Sequence, residues 1–299
     1  MAERVLVTGA TGFIGQHIPP LLRARRYETH VTARGALPET AGITAHGVDL
    51  LRQDEAQRLI KDLRPDIIIH TAWYVAHGRF WTAPENTDWL EASTALAAYA
   101  AEAGTRRFVG IGTCAEYATE AGDDAYPWPE TRPIAPATPY GEAKATLAQR
   151  LSEIAEGRAH FSFAWARLFH LFGPGENPAR LVPSIMLALR EGHEAQCASG
   201  RPVRDFISTQ NAAAAITALA TSQVTGPVNI GSGAPISIAA MARLIAHISG
   251  RPYLLRLGAL PDRPNEPPYM VAHTGRLRRE VGFTAPVSLA AELRKLQIR

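Results

Sequence analysis

The chain has 299 residues, 46% hydrophobic and 20% charged, with a net charge of +3, which allows one large domain or two closely joined ones. No apolar run reaches the length of a membrane span, Met1-Ala2-Glu3-Arg4 leads straight into a strand with no room for a signal peptide, and the scattered positive charge lacks the basic stripe of a nucleic-acid binder. Cys114 and Cys197 give neither a disulfide framework nor metal spacing, and the histidines are dispersed, so a reducing cytoplasm and no metal are expected.

Val5-Leu6-Val7 reads as a buried strand. It enters Thr8-Gly9-Ala10-Thr11-Gly12-Phe13-Ile14-Gly15, and a helical segment follows to about residue 26. A strand, a glycine-rich turn and a helix form a cradle for a dinucleotide pyrophosphate. Gly9 permits the tight turn, Gly12 lets the backbone approach the anion, and Gly15 lets helix pack on strand. The helix N-terminus adds free N–H groups and a favourable dipole. The spacing is G-x-x-G-x-x-G rather than G-x-G-x-x-G.

Further strands are expected at 29–33, 43–48, 66–70, 107–112 and 161–168, with helices at 54–63, 86–103 and 139–155. This alternation predicts an α/β fold with a Rossmann-type, doubly wound parallel sheet and ligands at the carboxyl ends of its strands. Beyond it, 181–190, 209–220, 237–249 and 289–296 read as helices and 227–230 as a short strand, with proline and glycine dense over 250–268. The expected division is a dinucleotide domain over 1–172, also receiving roughly 205–222, and a smaller irregular cap over 173–299 that binds substrate.

The end of the second strand should face the adenosine ribose, where an acid favours NAD and an arginine accommodates the 2′-phosphate of NADP. Arg34 follows that strand and no acid comes before Glu39, so NADP(H) is favoured and NAD(H) is the alternative. Arg34 as a solvated loop residue is the plainer reading. Asp49 suits either a bond to the adenine amino group or a cap on the following helix.

Tyr140-Gly-Glu-Ala-Lys144 places a phenol and an ammonium on one helical face. A nearby positive charge lowers the phenol pKa from its usual value of about 10, which suits Tyr140 to acid–base work near neutral pH. Thr113, at the end of the preceding strand, is placed to bond Tyr140 and a substrate carbonyl. Cys114 beside it reads as packing rather than as a nucleophile.

The glycine turn, Asp66-Ile-Ile-Ile-His-Thr-Ala72, Gly112-Thr-Cys-Ala-Glu-Tyr117 and Tyr140–Lys144 together resemble the extended short-chain dehydrogenase/reductases, in the branch of nucleotide-sugar epimerases, dehydratases and reductases. Later stretches carry the resemblance through most of the chain: Arg167-Leu-Phe-His-Leu-Phe-Gly-Pro174, Val203-Arg-Asp-Phe206, Asn229-Ile-Gly-Ser-Gly233 and Arg263-Pro-Asn-Glu-Pro267. It implies catalysis by Thr113, Tyr140 and Lys144. It implies a cofactor held by Gly9, Thr11, Gly12, Phe13, Ile14, Gly15, Arg34, Asp49, Leu50, Thr71 and Ala72, with Tyr140 and Lys144. It implies a nucleotide-diphosphate sugar substrate near Trp73, His170, Arg204 and Arg263, the two arginines on the diphosphate.

Dehydratases of the family carry an acidic pair after the active-site threonine, where this chain has Cys114-Ala115. The 3,5-epimerase-reductases place a cysteine and a histidine where Ala115 and Gly175 stand. What remains is hydride transfer with one tyrosine acid. The favoured expectation is therefore NADPH-dependent reduction of a nucleotide-linked 4-keto-6-deoxyhexose, as in deoxysugar biosynthesis. A 4-epimerase is the alternative, and a non-catalytic dinucleotide-binding regulator is the alternative of another class. His170 is either a substrate contact or a core residue. The aromatics Trp73-Tyr-Val-Ala-His77 and Phe80-Trp81 line the hexose pocket, join a subunit contact, or simply pack a long loop. The resemblance also implies a homodimer built from helices 86–103 and 139–155, with Asn86 as a loosely held cofactor contact.

Overall fold

The computed structural model describes residues 2–35, 40–119, 126–264, 266–285 and 288–297; Glu39 and Asn265 lie outside them. The first half runs β1 (Arg4–Thr8), α1 (Ile18–Ala24), β2 (Glu28–Ala33), β3 (Ile43–Gly47), α2 (Gln53–Leu63), β4 (Ile67–His70), α3 (Glu85–Glu102), β5 (Arg107–Thr113), α4 (Pro139–Glu156) and β6 (Ser162–Leu168). The second half runs β7 (His170–Phe172), α5 (Leu181–Glu191), β8 (Ala195–Cys197), β9 (Val203–Ser208), α6 (Thr209–Ala220), β10 (Gly226–Ile230), β11 (Pro235–Ser237), α7 (Ile238–Ile248), β12 (Leu255–Leu257), β13 (Tyr269–Met270), α8 (Gly275–Arg279) and α9 (Leu289–Gln297).

Seven strands form one sheet in the order β3-β2-β1-β4-β5-β6-β10, every neighbouring pair parallel. Its strands are apolar on both faces because both are covered. Val5, Val7, Ile67, Ile69, Val109 and Ile111 pack with α1 and α6 on one side. Leu6, Ile68, Phe108, Phe163 and Trp165 pack with α2, α3 and α4 on the other. The chain winds outward in both directions from β1 and β4, and the crevice above that switch point is where such sheets bind ligands.

The sequence expectation for the second half needs two amendments. β10 lies beyond residue 172 yet extends the large sheet beside β6. The cap holds more strand than its proline and glycine content suggests: β9 pairs with β7, β11 and β13, and β8 pairs with β12. These cap strands have two to six residues, too few for a period-2 pattern to show. Among the described residues, no helix is long and apolar enough to cross a membrane.

Two buried polar groups fix the relation of these layers. Asp205 of β9 accepts hydrogen bonds from the Ser232 N–H and Oγ–H on one oxygen and from the Gly233 and Ala272 N–H groups on the other, at 2.6–3.2 Å. His70 of β4 spans Thr8 Oγ1 and Ser93 Oγ at 2.8 Å each, tying β1, β4 and α3 together. Burial, with the Lys144 charge as a second cause, pushes the His70 pKa down to about 3. The unfolded chain therefore takes up a proton at this ring near the ordinary value of 6.5, and the folded chain does not until about 3. This contribution is intact above about pH 6.5 and drains away as pH falls toward 3. The urea midpoint is expected to drop between about pH 6.5 and about pH 4, with a shallower slope in His70→Asn.

Candidate active site

Backbone contacts explain the glycine turn. Gly9 has φ +68°, and a Cβ there would lie 2.7 Å from the Ala72 nitrogen. A Cβ on Gly15 would lie 2.2 Å from the Gly9 carbonyl oxygen, so only glycine lets the helical segment start this close to β1. Thr71 and Ala72 at the end of β4 brace the turn from beneath: Thr71 Oγ1 donates to the Thr8 carbonyl at 2.6 Å, and the Ala72 N–H meets Thr8 Oγ1 at 3.4 Å. Gly12 differs, because a Cβ there has only the Gly9 oxygen, at 3.1 Å, in contact. The turn is thus packed on the protein side and open at Gly12, as a dinucleotide cradle requires. Thr11 is exposed, and Phe13 and Ile14 are half-buried at its rim.

Arg34 is exposed at the end of β2, with no hydrogen bond or ion pair among the described residues. Asp49 does not cap α2, whose cap position is Arg52; its carboxylate instead accepts the Leu51 N–H at 3.2 Å. Leu50 is buried beside it.

The candidate catalytic residues Thr113, Tyr140 and Lys144 meet at the carboxyl end of β5. Thr138 caps α4 through the Gly141 N–H, and Pro139 begins the helix. A Cβ on Gly141 would stand 2.7 Å from the Ala115 carbonyl, so glycine lets α4 close onto the residues after β5. The Tyr140 phenol is consequently brought near the Thr113 side chain, which acts to lower its pKa. The Tyr140 N–H, an orphan donor of the first helical turn, bonds the Trp81 carbonyl at 3.1 Å. One turn on, Lys144 is buried; its Nζ donates to the Ile111 carbonyl at 2.9 Å and lies 3.6 Å from the Trp73 ring centroid.

Glu116 underlies this arrangement and had no role in the sequence reading. It is buried on the short helical turn Cys114–Glu116, where it accepts the Thr113 N–H at 2.8 Å, the Trp165 indole N–H, and Arg167 Nε at 2.7 Å. Gly112 makes room for it, since a Cβ there would stand 2.2 Å from the Trp165 nitrogen and 2.5 Å from the Glu116 carboxylate. Burial raises the Glu116 carboxyl above its ordinary range, while Arg167 acts the other way.

The electrostatics amend the expectation that Lys144 lowers the Tyr140 pKa. Burial raises it instead, Glu116 and Cys114 add to the rise, and Thr113 and Arg180 oppose it. Burial also lowers the Lys144 pKa to about 7, with Glu116 opposing. The Cys114 thiol is pushed up to about 12, chiefly by burial, which agrees with packing and not nucleophilic use.

On the cap side, His170 has an Nδ1 with no partner among the described residues and a pKa lowered to about 3 by burial, Arg204 and Arg180. Arg204 is buried and paired with Glu266 at 2.8 Å, and it also donates to the Val203 carbonyl. Arg263 is exposed, with no partner among the described residues. Arg180 and Glu176 escaped the sequence reading. Arg180 Nε bonds Glu176 Oε1 at 3.0 Å, and burial raises the Glu176 carboxyl to about 7. Their only sequence signal was a polar run, Glu176-Asn-Pro-Ala-Arg180, between the Gly-Pro turn and α5. Asn86 is consumed within the protein: its side chain accepts the Trp73 indole N–H and donates to the Phe80 and Ala83 carbonyls.

A dinucleotide cradle opposite a Thr–Tyr–Lys constellation on a Rossmann-type sheet defines a pyridine-nucleotide oxidoreductase. Residues 5–231 match the NAD dependent epimerase/dehydratase family, and the chain belongs to it. The UDP-glucose 4-epimerase of Bacillus subtilis is 24% identical over 318 residues, spanning 94% of this chain and 92% of that protein. The fold is shared with the Thermotoga maritima UDP-glucose 4-epimerase bound to UDP-glucose (TM-score 0.84, 20% identity, 97% and 96% coverage). It is also shared with the Thermus thermophilus UDP-glucose 4-epimerase bound to NAD (TM-score 0.82, 23% identity, 97% and 96% coverage).

These findings overturn two expectations. Several of the relatives are nucleotide-sugar 4-epimerases and others are dehydratases or a decarboxylase, with no dedicated 4-keto reductase among those compared, so NADPH-dependent 4-keto reduction is withdrawn as the leading reading. The missing dehydratase acids never separated reductase from epimerase, because both need the same triad. The preference for NADP(H) is withdrawn as well, since similar structures hold NAD. Arg34 alone was a weak sign, being one exposed side chain rather than a built phosphate pocket.

The two glycines separate folding from cofactor binding. Gly12→Ala is expected to keep Tm within about 3 °C while weakening NAD binding about tenfold or more by calorimetric titration. Gly15→Ala, driven into the Gly9 carbonyl, is expected to lose both.

Proposed function

We propose that this chain is an NAD-dependent 4-epimerase of a UDP-hexose. The observation that carries the reading is the Tyr140 phenol beside Thr113, which is followed in the chain by the protonated thiol of Cys114 and by Ala115. Cys114 and Ala115 bring no second acid or base, and Glu116 is committed to Arg167, Trp165 and the Thr113 N–H, so proton movement centres on one substrate oxygen, as epimerisation at one carbon demands. The similarity to 4-epimerases across the whole chain supports the same reading.

NAD would be held by the Gly9–Gly15 turn, Thr71, Ala72, Asp49 and Leu50, and when bound it supplies reversible hydride acceptance from the sugar carbon. Tyr140, as phenolate, would remove the proton of the C4 hydroxyl and, as phenol, later return it; because burial raises its pKa, the positive charge that bound NAD would bring is needed to favour the phenolate. Thr113 hydrogen-bonds the same oxygen and holds it against Tyr140. Inversion requires the ketone to present its opposite face before reduction. Arg204, Arg180 and Arg263 are the cationic groups assigned to the diphosphate, which they would grip as charge-assisted donors. α3 and α4 are assigned to a homodimer contact.

The purified protein is expected to interconvert UDP-glucose with UDP-galactose, or UDP-N-acetylglucosamine with its C4 epimer, by NMR of the sugar anomeric signals, without added reductant. Tyr140→Phe is expected to retain NAD and lower kcat by about a hundredfold or more. A protein that consumes NADPH with 4-keto sugars and epimerises no UDP-hexose or UDP-hexosamine would refute the reading.

A further inference from the structure

The aromatic loop between β4 and α3 has a use apart from lining a pocket. Its first aromatic residue, Trp73, lies with its ring 3.6 Å from Lys144 Nζ. Near its other end, Phe80 and Trp81 meet the Tyr140 ring edge-on, with centroids at 4.9 and 5.7 Å. The Trp81 carbonyl takes the Tyr140 N–H. Asn86 links the two ends, accepting the Trp73 indole N–H at 2.9 Å while donating to the Phe80 carbonyl at 2.7 Å. Asn86 is buried, so each of these bonds is shielded from water.

We propose that this loop, latched by Asn86, is the positioning device of the Tyr140–Lys144 pair, and that Trp73 is the residue that keeps the Lys144 ammonium charged and aimed. An ammonium has three N–H donors and no acceptor. One meets the Ile111 carbonyl and one the Trp73 ring face, which leaves one for the active-site side. The negative face of an indole favours a desolvated cation by about 1–2 kcal/mol. That attraction works against the burial that drives the Lys144 pKa down to about 7. The other ionisable groups facing Lys144 are few. Glu116, from the turn after β5, favours the charge but is itself committed to Arg167 of β6. His70 of β4 is neutral at working pH, and Tyr140 shares the helix with Lys144. Trp165 lies farther off, at 6.0 Å.

The inference takes its catalytic pair from the epimerase reading, but its test does not need turnover. The chain has three lysines, Lys61, Lys144 and Lys295, so Cε-labelled lysine gives a simple NMR spectrum in which Lys144→Met identifies the Lys144 signal. In the full chain with excess NAD, Trp73→Leu is expected to move the Lys144 titration down by about one pH unit. Trp73→Phe, which keeps a ring face, is expected to recover more than half of that shift. The ammonium is present below its pKa and lost above it, so the alkaline limb of kcat moves down in pH by the same amount. Fluorinated tryptophan at position 73 weakens the ring face without changing its shape, and it is expected to lower the titration stepwise even if Trp73→Leu fails to fold. An unchanged Lys144 titration in both Trp73→Leu and the fluorinated protein overturns the proposal. An absence of epimerase turnover, with the NMR shift present, removes the functional reading and leaves this inference standing.

Discussion

The active site rests on the buried carboxylate of Glu116. Leaving water costs such a group several kcal/mol unless charge and hydrogen bonds replace the lost hydration. Glu116 receives both, from Arg167 Nε, the Trp165 indole and the Thr113 N–H. Because these partners lie on β5 and β6, satisfying the carboxylate fixes the end of β5, and with it Thr113. Arg167 also reaches the Tyr117 hydroxyl, which donates to Asn229 on β10. Asn229 in turn donates to the Trp128 carbonyl. One continuous polar network therefore runs from Thr113 to the last strand of the sheet.

Most of the large sheet was legible in the sequence because its strands are continuous apolar runs and its helices have clear period and caps. The expected elements 54–63, 139–155 and 209–220 differ from the observed ones by no more than a residue at either end. The glycine turn and the Tyr140-to-Lys144 spacing were legible for the same reason, since local chemistry dictates them. The cap strands were not legible, because elements of a few residues are chosen by their partners and not by their own pattern. Glu116 and Asn86 were missed as structural anchors, and Arg180 as a charge near Tyr140, for a related reason. Each has a role set by residues distant in sequence, such as Arg167 for Glu116 or Trp73 for Asn86.

The withdrawn expectations show the limit of reading one side chain as a specificity code. An arginine at the end of β2 suits a 2′-phosphate, but an exposed arginine suits solvent equally well. Likewise, an amine one helical turn from a phenol suggests a depressed phenol pKa. The structure gives that amine other neighbours, the Ile111 carbonyl and the Trp73 face, and burial prevails at Tyr140. In both cases the residue type was read correctly, and its immediate surroundings decided the outcome.

Asp205 carries a consequence for how such a protein diversifies. Its carboxylate gathers N–H groups from the turn after β10 and from Ala272, so the cap is fastened to the large sheet at a point inside the molecule. The segments after β7 and before β13 hang outside that fastening. Insertions, deletions or exchanges there can change the surface of the cap while the Asp205 fastening and the pairing of β9 with β7 and β11 stay in place, so a lineage can vary one part of this half and inherit its anchor intact.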